Sequence, residues 1–157
     1  MKKFVSVIVF AVLTLFFLSF IFGMSLQSKE ESGDTSSEVA EALKPIVDPD
    51  DKIPEKTFHR AVRKAAHFAE FCGLGFCLWG MFSSVGKLCG KRLVTLPFFL
   101  SLLSAVADEF IQYFSGRGSM VTDVVLDFCG AVFGIGICAL AAVLAEKIKK
   151  AKKIKKT

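Results

Sequence analysis

Four long apolar runs constrain this chain more than any other feature. They extend from Phe4 to Phe22, Ala65 to Val85, Leu93 to Phe114 and Val121 to Leu144. A helix rises about 1.5 Å per residue and the hydrocarbon core of a bilayer is about 30 Å thick, so roughly 20 apolar residues cross it. In lipid a segment must satisfy its own backbone polar groups, and at this length only a helix does so. The pattern predicts an all-α integral membrane bundle of four transmembrane helices. Composition agrees. Of 157 residues, 53% are hydrophobic and only 22% are charged, so the charges must be segregated. Such a chain is not intrinsically disordered, and it is a poor candidate for a soluble enzyme.

The first run follows Lys2 and Lys3. It is longer than the roughly 7–15 residues of a signal-peptide core, and its exit, Gly23-Met24-Ser25, lacks a small-x-small cleavage pattern. A retained anchor is expected. Lys and Arg in short loops set orientation. They occur before the first run, between the second and third (Lys87, Lys91, Arg92), and after the fourth (Lys147, Lys149, Lys150, Lys152, Lys153, Lys155, Lys156). With four spans all three groups fall on one side, which predicts both termini in the cytoplasm (N-in/C-in) of a bacterial cell membrane. The basic tail reads as a topology anchor that attracts anionic lipid headgroups. Membrane lipids are the expected partners, and nucleic acid is not.

The chain thus divides into an N-terminal transmembrane helix (1–22), an extracytoplasmic loop (23–64), a three-helix core (65–145) and a basic cytoplasmic tail (146–157). The loop mixes acidic and basic residues and contains Asp48-Pro49-Asp50-Asp51, as a solvated connector does. A short amphipathic helix is expected over Ser36–Leu43, with Pro45, Pro49 and Pro54 punctuating the return to the second span. Cys72, Cys77, Cys89, Cys129 and Cys138 lie in predicted spans or on the inner side, so they read as small apolar fillers without a disulfide framework.

Charged side chains in hydrocarbon are costly and usually face a bundle interior or an aqueous cavity. Here they converge. Arg63, Lys64, His67 and Glu70 begin the second span, Asp108, Glu109 and Gln112 end the third, and Asp123 and Asp127 begin the fourth. In an alternating bundle all of these sit at the outer end, one or two turns below the surface. Steps of three and four put Arg63 with His67, Lys64 with His67 and Glu70, and Asp108 with Gln112 on common faces. Asp123, Asp127 and Gly130 also share a face, which Gly134 continues as a GxxxG packing stripe. The tight connector Ser115-Gly116-Arg117-Gly118-Ser119 sets Arg117 above these carboxylates, where it can pair with them or grip an anionic group. The alternative is a purely structural ion-pair network.

His67 and Glu109 are the candidate acid–base groups. A metal centre drawn from His67, Glu70, Glu109 and Asp127 has no HExxH-like spacing, and no metal is expected. Neither a phosphate-cradling glycine loop nor a Ser/His/Asp order is recognisable, and no cofactor is expected.

Three stretches taken in order resemble the motifs of VanZ-like membrane proteins. They are Ser25-Leu26-Gln27-Ser28; Arg63-Lys64-Ala65-Ala66-His67-Phe68-Ala69-Glu70-Phe71; and Asp108-Glu109-Phe110-Ile111-Gln112 with Gly116-Arg117-Gly118-Ser119, Asp123-Val124-Val125-Leu126-Asp127 and Gly130. Ile111 stands where the family often has His. The resemblance implies a role at the cell envelope, since the founding member is associated with low-level resistance to teicoplanin, a glycopeptide acting on cell-wall precursors outside the membrane.

Two readings of the polar cluster lead. One is an outward-facing pocket for a lipid-linked or otherwise anionic ligand, such as a cell-wall precursor. The other is an enzyme acting on a lipid headgroup or precursor. A structural assembly factor is a third. A transporter fits less well, because the inner halves of the later spans are apolar.

Overall fold

The computed structural model describes residues 2–154; Lys155 and Lys156 of the basic tail, and the side chains of Lys2, Lys3 and Lys153, lie outside the described residues. Five helices follow one another: α1 Lys2–Ser25, α2 Lys29–Val47, α3 Glu55–Cys89, α4 Thr95–Phe114 and α5 Val121–Ile154. No strand occurs among the described residues. The all-α expectation stands.

Three of the helices, not four, are long and apolar enough to cross a membrane: α1 over Phe4–Ser25, α3 over Glu55–Cys89 and α5 over Val121–Lys152. The expected third span, α4, falls short of that measure. Its last two turns carry Asp108, Glu109 and Gln112, and these polar residues lower its mean apolarity. Yet all three are buried, while Phe99, Leu102, Leu103, Val106 and Phe110 face outwards. In its last two turns the helix is polar towards its neighbours and apolar towards its surroundings.

Helix ends differ from the hydropathy boundaries for one physical reason: apolarity marks a membrane segment, not the extent of a helix. Helix α3 starts at Glu55, well before Ala65, and at 35 residues is about 52 Å long, so its charged first turns project beyond an apolar layer. Helix α5 likewise continues past Leu144 into the basic tail. Most of the segment expected as a loop is helical: it holds all of α2, far longer than Ser36–Leu43, and the first turns of α3. Ser28 opens it with a capping box: Glu31 N donates to Ser28 Oγ and Ser28 N donates to Glu31 Oε2. Pro45 lies inside α2 rather than ending it. The end comes at Asp48, whose carboxylate accepts from Lys52 N and Ile53 N and folds the turn towards α3.

Helix α3 is the hub, in contact with each of the other four. The core joins Ile21 of α1, Phe71, Leu74 and Leu78 of α3, Ala105 of α4 and Ala131 of α5. The seam between α3 and α5 is backbone against backbone. A Cβ at Gly75 would overlap the Ala131 carbonyl, and one at Gly134 the Cys72 carbonyl. At Gly130 a Cβ would stand 2.5 Å from the Phe68 oxygen. The expected Gly130/Gly134 stripe is therefore a contact surface, as small residues permit. It brings together His67, which adjoins Phe68 on α3, and Asp127, one turn before Gly130 on α5.

Candidate functional site

The polar residues of three predicted spans meet at one end of the bundle, joined by α1. At the centre is Asp108, fully buried, with Ser25 Oγ donating to its Oδ1 and Gln112 Nε2 donating to its Oδ2 at 2.6 Å. The Gln112 bond follows from the spacing of four within α4. The Ser25 bond comes from the last residue of α1 and ties the first helix to the cluster. Ser25 is fully buried, and its carbonyl also accepts from Ser115 Oγ at 2.9 Å. Sequence reasoning left Ser25 out of the site, although the Ser25-Leu26-Gln27-Ser28 stretch was the signal for it.

His67 turns its Nδ1 towards two carboxylates, 3.8 Å from Asp108 Oδ2 and 3.9 Å from Asp127 Oδ1. Both separations are too long for hydrogen bonds. Asp127 is 1% exposed, and neither of its oxygens has a hydrogen-bond partner. His67 Nδ1 is likewise buried without one.

The other acidic residues are held at the edge of this group. Asp123 pairs with Lys64 Nζ at 2.8 Å, in a partly exposed bridge. Glu109 is buried and accepts from the Met120 backbone N–H at 3.0 Å, ahead of α5. Of the two roles open to Arg117, pairing with these carboxylates or gripping an anion, the first is not seen as a salt bridge among the described residues. Arg117 is buried and donates through Nη1 to the Met24 carbonyl of α1 at 3.1 Å. Gln112 O accepts from its backbone N–H, which bends the connector inwards. Gly116 sits at φ 72°, a left-handed conformation that glycine adopts without strain. Burial lowers the pKa of Arg117, the neighbouring Arg63 adds to that, and Asp108, Glu109 and Glu70 oppose it.

A cavity of about 260 Å³ opens beside the cluster. Arg63, His67 and Glu70 of α3 and Arg117 of the connector line its polar side. Phe20 and Met24 of α1 and Val62 and Ala66 of α3 line its apolar side. Helix α2 roofs it with Ser32, Thr35, Ser36 and Val39, a contribution that a solvated loop would not make. On the far side of His67 is a hollow of about 10 Å³, lined among others by Lys64, Glu109, Gln112, Asp123 and Asp127. The predicted site residues thus separate into two sets with His67 and Arg63 shared between them, while Asp108 lines neither space. Of the two acid–base candidates, His67 lines both spaces and Glu109 lines the small hollow alone.

The profile of the VanZ/LLP1 family matches residues 8–142. The match covers α2 and α4 as well as the three apolar helices, and the chain belongs to that family. No curated protein and no solved structure matches it.

Proposed function

We propose that this VanZ/LLP1 protein is an envelope membrane protein whose cavity takes the anionic headgroup of a membrane amphiphile. The cavity wall carries the reading: two guanidinium groups, Arg63 and Arg117, face an apolar side formed by Phe20, Met24, Val62 and Ala66. Such a site suits a charged headgroup attached to a hydrocarbon chain, because guanidinium groups bind phosphate and carboxylate oxygens bidentately. At about 260 Å³ the space is below the roughly 300–1,000 Å³ of a drug-sized ligand site, so it suits a headgroup rather than a whole lipid. Phospholipids and lipid-linked cell-wall precursors share that chemistry.

In this reading α4 is a fourth span, with its polar face turned inwards and its apolar face in lipid. Both termini and the Lys87–Arg92 turn then lie on the cytoplasmic side, as the Lys and Arg distribution favours. The cavity opens on the extracytoplasmic side, where a cell-wall precursor is displayed. A second reading, an enzyme acting on the bound headgroup, draws on His67 and Glu70 lining the same wall as the two arginines. A proton donor or acceptor would then stand beside the anion-binding groups.

The test is lipid retention. Purified protein reconstituted with phosphatidylglycerol and phosphatidylcholine should keep the anionic lipid selectively in native mass spectra. Arg117→Gln, at matched folding, should lose that selectivity. Equal retention of both lipids by the wild type would contradict the proposal. The envelope role is read by teicoplanin susceptibility, with vancomycin as comparison, of a Gram-positive host expressing wild type or Arg117→Gln at matched abundance. Only the wild type should raise tolerance.

A further inference from the structure

We propose that His67, Asp108 and Asp127 form a binding site for one divalent transition-metal cation of zinc's class, with one coordination position left open. The proposal is independent of the headgroup reading. It starts from an anomaly: Asp127 is 1% exposed and both of its oxygens lack a partner. His67 Nδ1, 3.9 Å from Asp127 Oδ1, is also buried and unpartnered. Buried carboxylates are paired, protonated or bound to metal. Hydrogen bonding does not resolve this group, because His67 Nδ1 stands 3.8 and 3.9 Å from the two carboxylates.

Those distances suit a bridging ion. Zinc–nitrogen and zinc–oxygen bonds of about 2.0–2.2 Å in a tetrahedron put ligand atoms about 3.4 Å apart. One ligand atom from each of His67, Asp108 and Asp127 already lies within 4.8 Å of the others. The His67 separations need to close by about 0.5 Å. The two carboxylates balance a dication, and one imidazole with two carboxylates suits zinc, manganese or iron rather than a thiolate-seeking ion.

Asp108 is also supported as a metal ligand usually is. Gln112 Nε2 and Ser25 Oγ hold its two oxygens, one on each. Two of the three ligands, His67 and Asp127, also line the 10 Å³ hollow with Gln112, and its space, about that of one water, would serve a fourth position. An open position of this kind separates reactive zinc sites from closed structural ones. The ligands come from α3, α4 and α5, one each, so no local spacing announces the site.

The full-length protein, purified in detergent without chelator, should carry about one equivalent of zinc, manganese or iron by elemental analysis. After stripping with EDTA it should rebind zinc with the same stoichiometry. Asp127→Asn and His67→Gln should abolish that uptake, and Gln112→Ala should weaken it by about 10–100-fold. Asp34→Asn, on the exposed face of α2, should leave it unchanged. Zinc should also raise the melting temperature of stripped wild type, a readout that holds if the ligand variants fail to fold. Uptake by stripped wild type no greater than by Asp127→Asn, or a melting temperature indifferent to both EDTA and zinc, would overturn the proposal.

Discussion

Replacing Gly130 with Ala should weaken the bundle and pull its polar cluster apart. The new Cβ would stand 2.5 Å from the Phe68 carbonyl oxygen, where ordinary contact begins at 3.4 Å. The obstacle is helix backbone, so no side chain can rotate away. Helices α3 and α5 must separate by about 0.9 Å, or one of them must bend. Overpacking of this kind costs about 1–3 kcal/mol. Gly134→Ala should behave alike, since its Cβ would overlap the Cys72 carbonyl. Gly136 supplies the control. It lies in the same helix with nothing within 4 Å of a new Cβ, and Ala there should stabilise by about 0.5–1 kcal/mol through helix propensity. Thermal unfolding in one detergent, followed by circular dichroism, should separate Gly130→Ala from Gly136→Ala by about 1.5–4 kcal/mol. His67 adjoins Phe68 and Asp127 lies one turn before Gly130, so the same separation should reduce any metal or ligand binding at the cluster. Equal stability of the three variants would refute the close approach of α3 and α5.

Other perturbations probe the site's edges. Ser25→Ala leaves buried Asp108 with Gln112 as its only hydrogen-bond donor and should cost about 1.5–3 kcal/mol in the same unfolding assay. Lys64→Met removes a bridge whose lysine side chain is 43% exposed, and should cost less than about 1 kcal/mol, with the loss shrinking further in salt. At the start of α2, hydrogen bonds from Ser28 hold the Glu31 carboxyl below its ordinary 4.5. A depressed folded pKa gives stabilisation that is complete above the unfolded value and lost as pH falls through the folded one. Amide protection in the first turn of α2, corrected for intrinsic exchange, should therefore decline below about pH 4.5, and Glu31→Gln should remove that dependence.

The sequence made the cluster legible because ionisable residues inside apolar runs stand out, and because alternating helices bring their positions to one level. His67, Asp108, Gln112 and Asp127 meet as that pattern implies. The α3–α5 seam was legible from Gly130 and Gly134 for a related reason, since a small-residue stripe marks a close contact. Hydropathy averages misplace what they do not measure. They miss the charged first turns of α3, which are helical but not apolar, and they treat α4 as uniform although in its last two turns the polar residues face inwards and Phe110 faces out. The reach of α2 was written in Ser28 and Glu31, a capping pair three residues apart. The partner of Arg117 was not legible: its guanidinium turns to the Met24 carbonyl, on a helix 93 positions earlier, instead of to the carboxylates that flank it in sequence. Backbone acceptors carry no residue-type signal.

The proposed extracytoplasmic ligand requires α4 to cross the bilayer and the polar cluster to open away from the cytoplasm. Two single-cysteine variants test this directly, one with Cys89 alone and one with Ser119→Cys alone. Cys89 ends α3 and is exposed, and Ser119 is exposed in the connector beside the cluster. A membrane-impermeant maleimide applied to intact cells should label the Ser119→Cys variant at once and Cys89 only after permeabilisation. Like labelling of both variants in intact cells would contradict a crossing α4, and labelling of Cys89 alone would put the cavity on the cytoplasmic side and contradict an extracytoplasmic ligand.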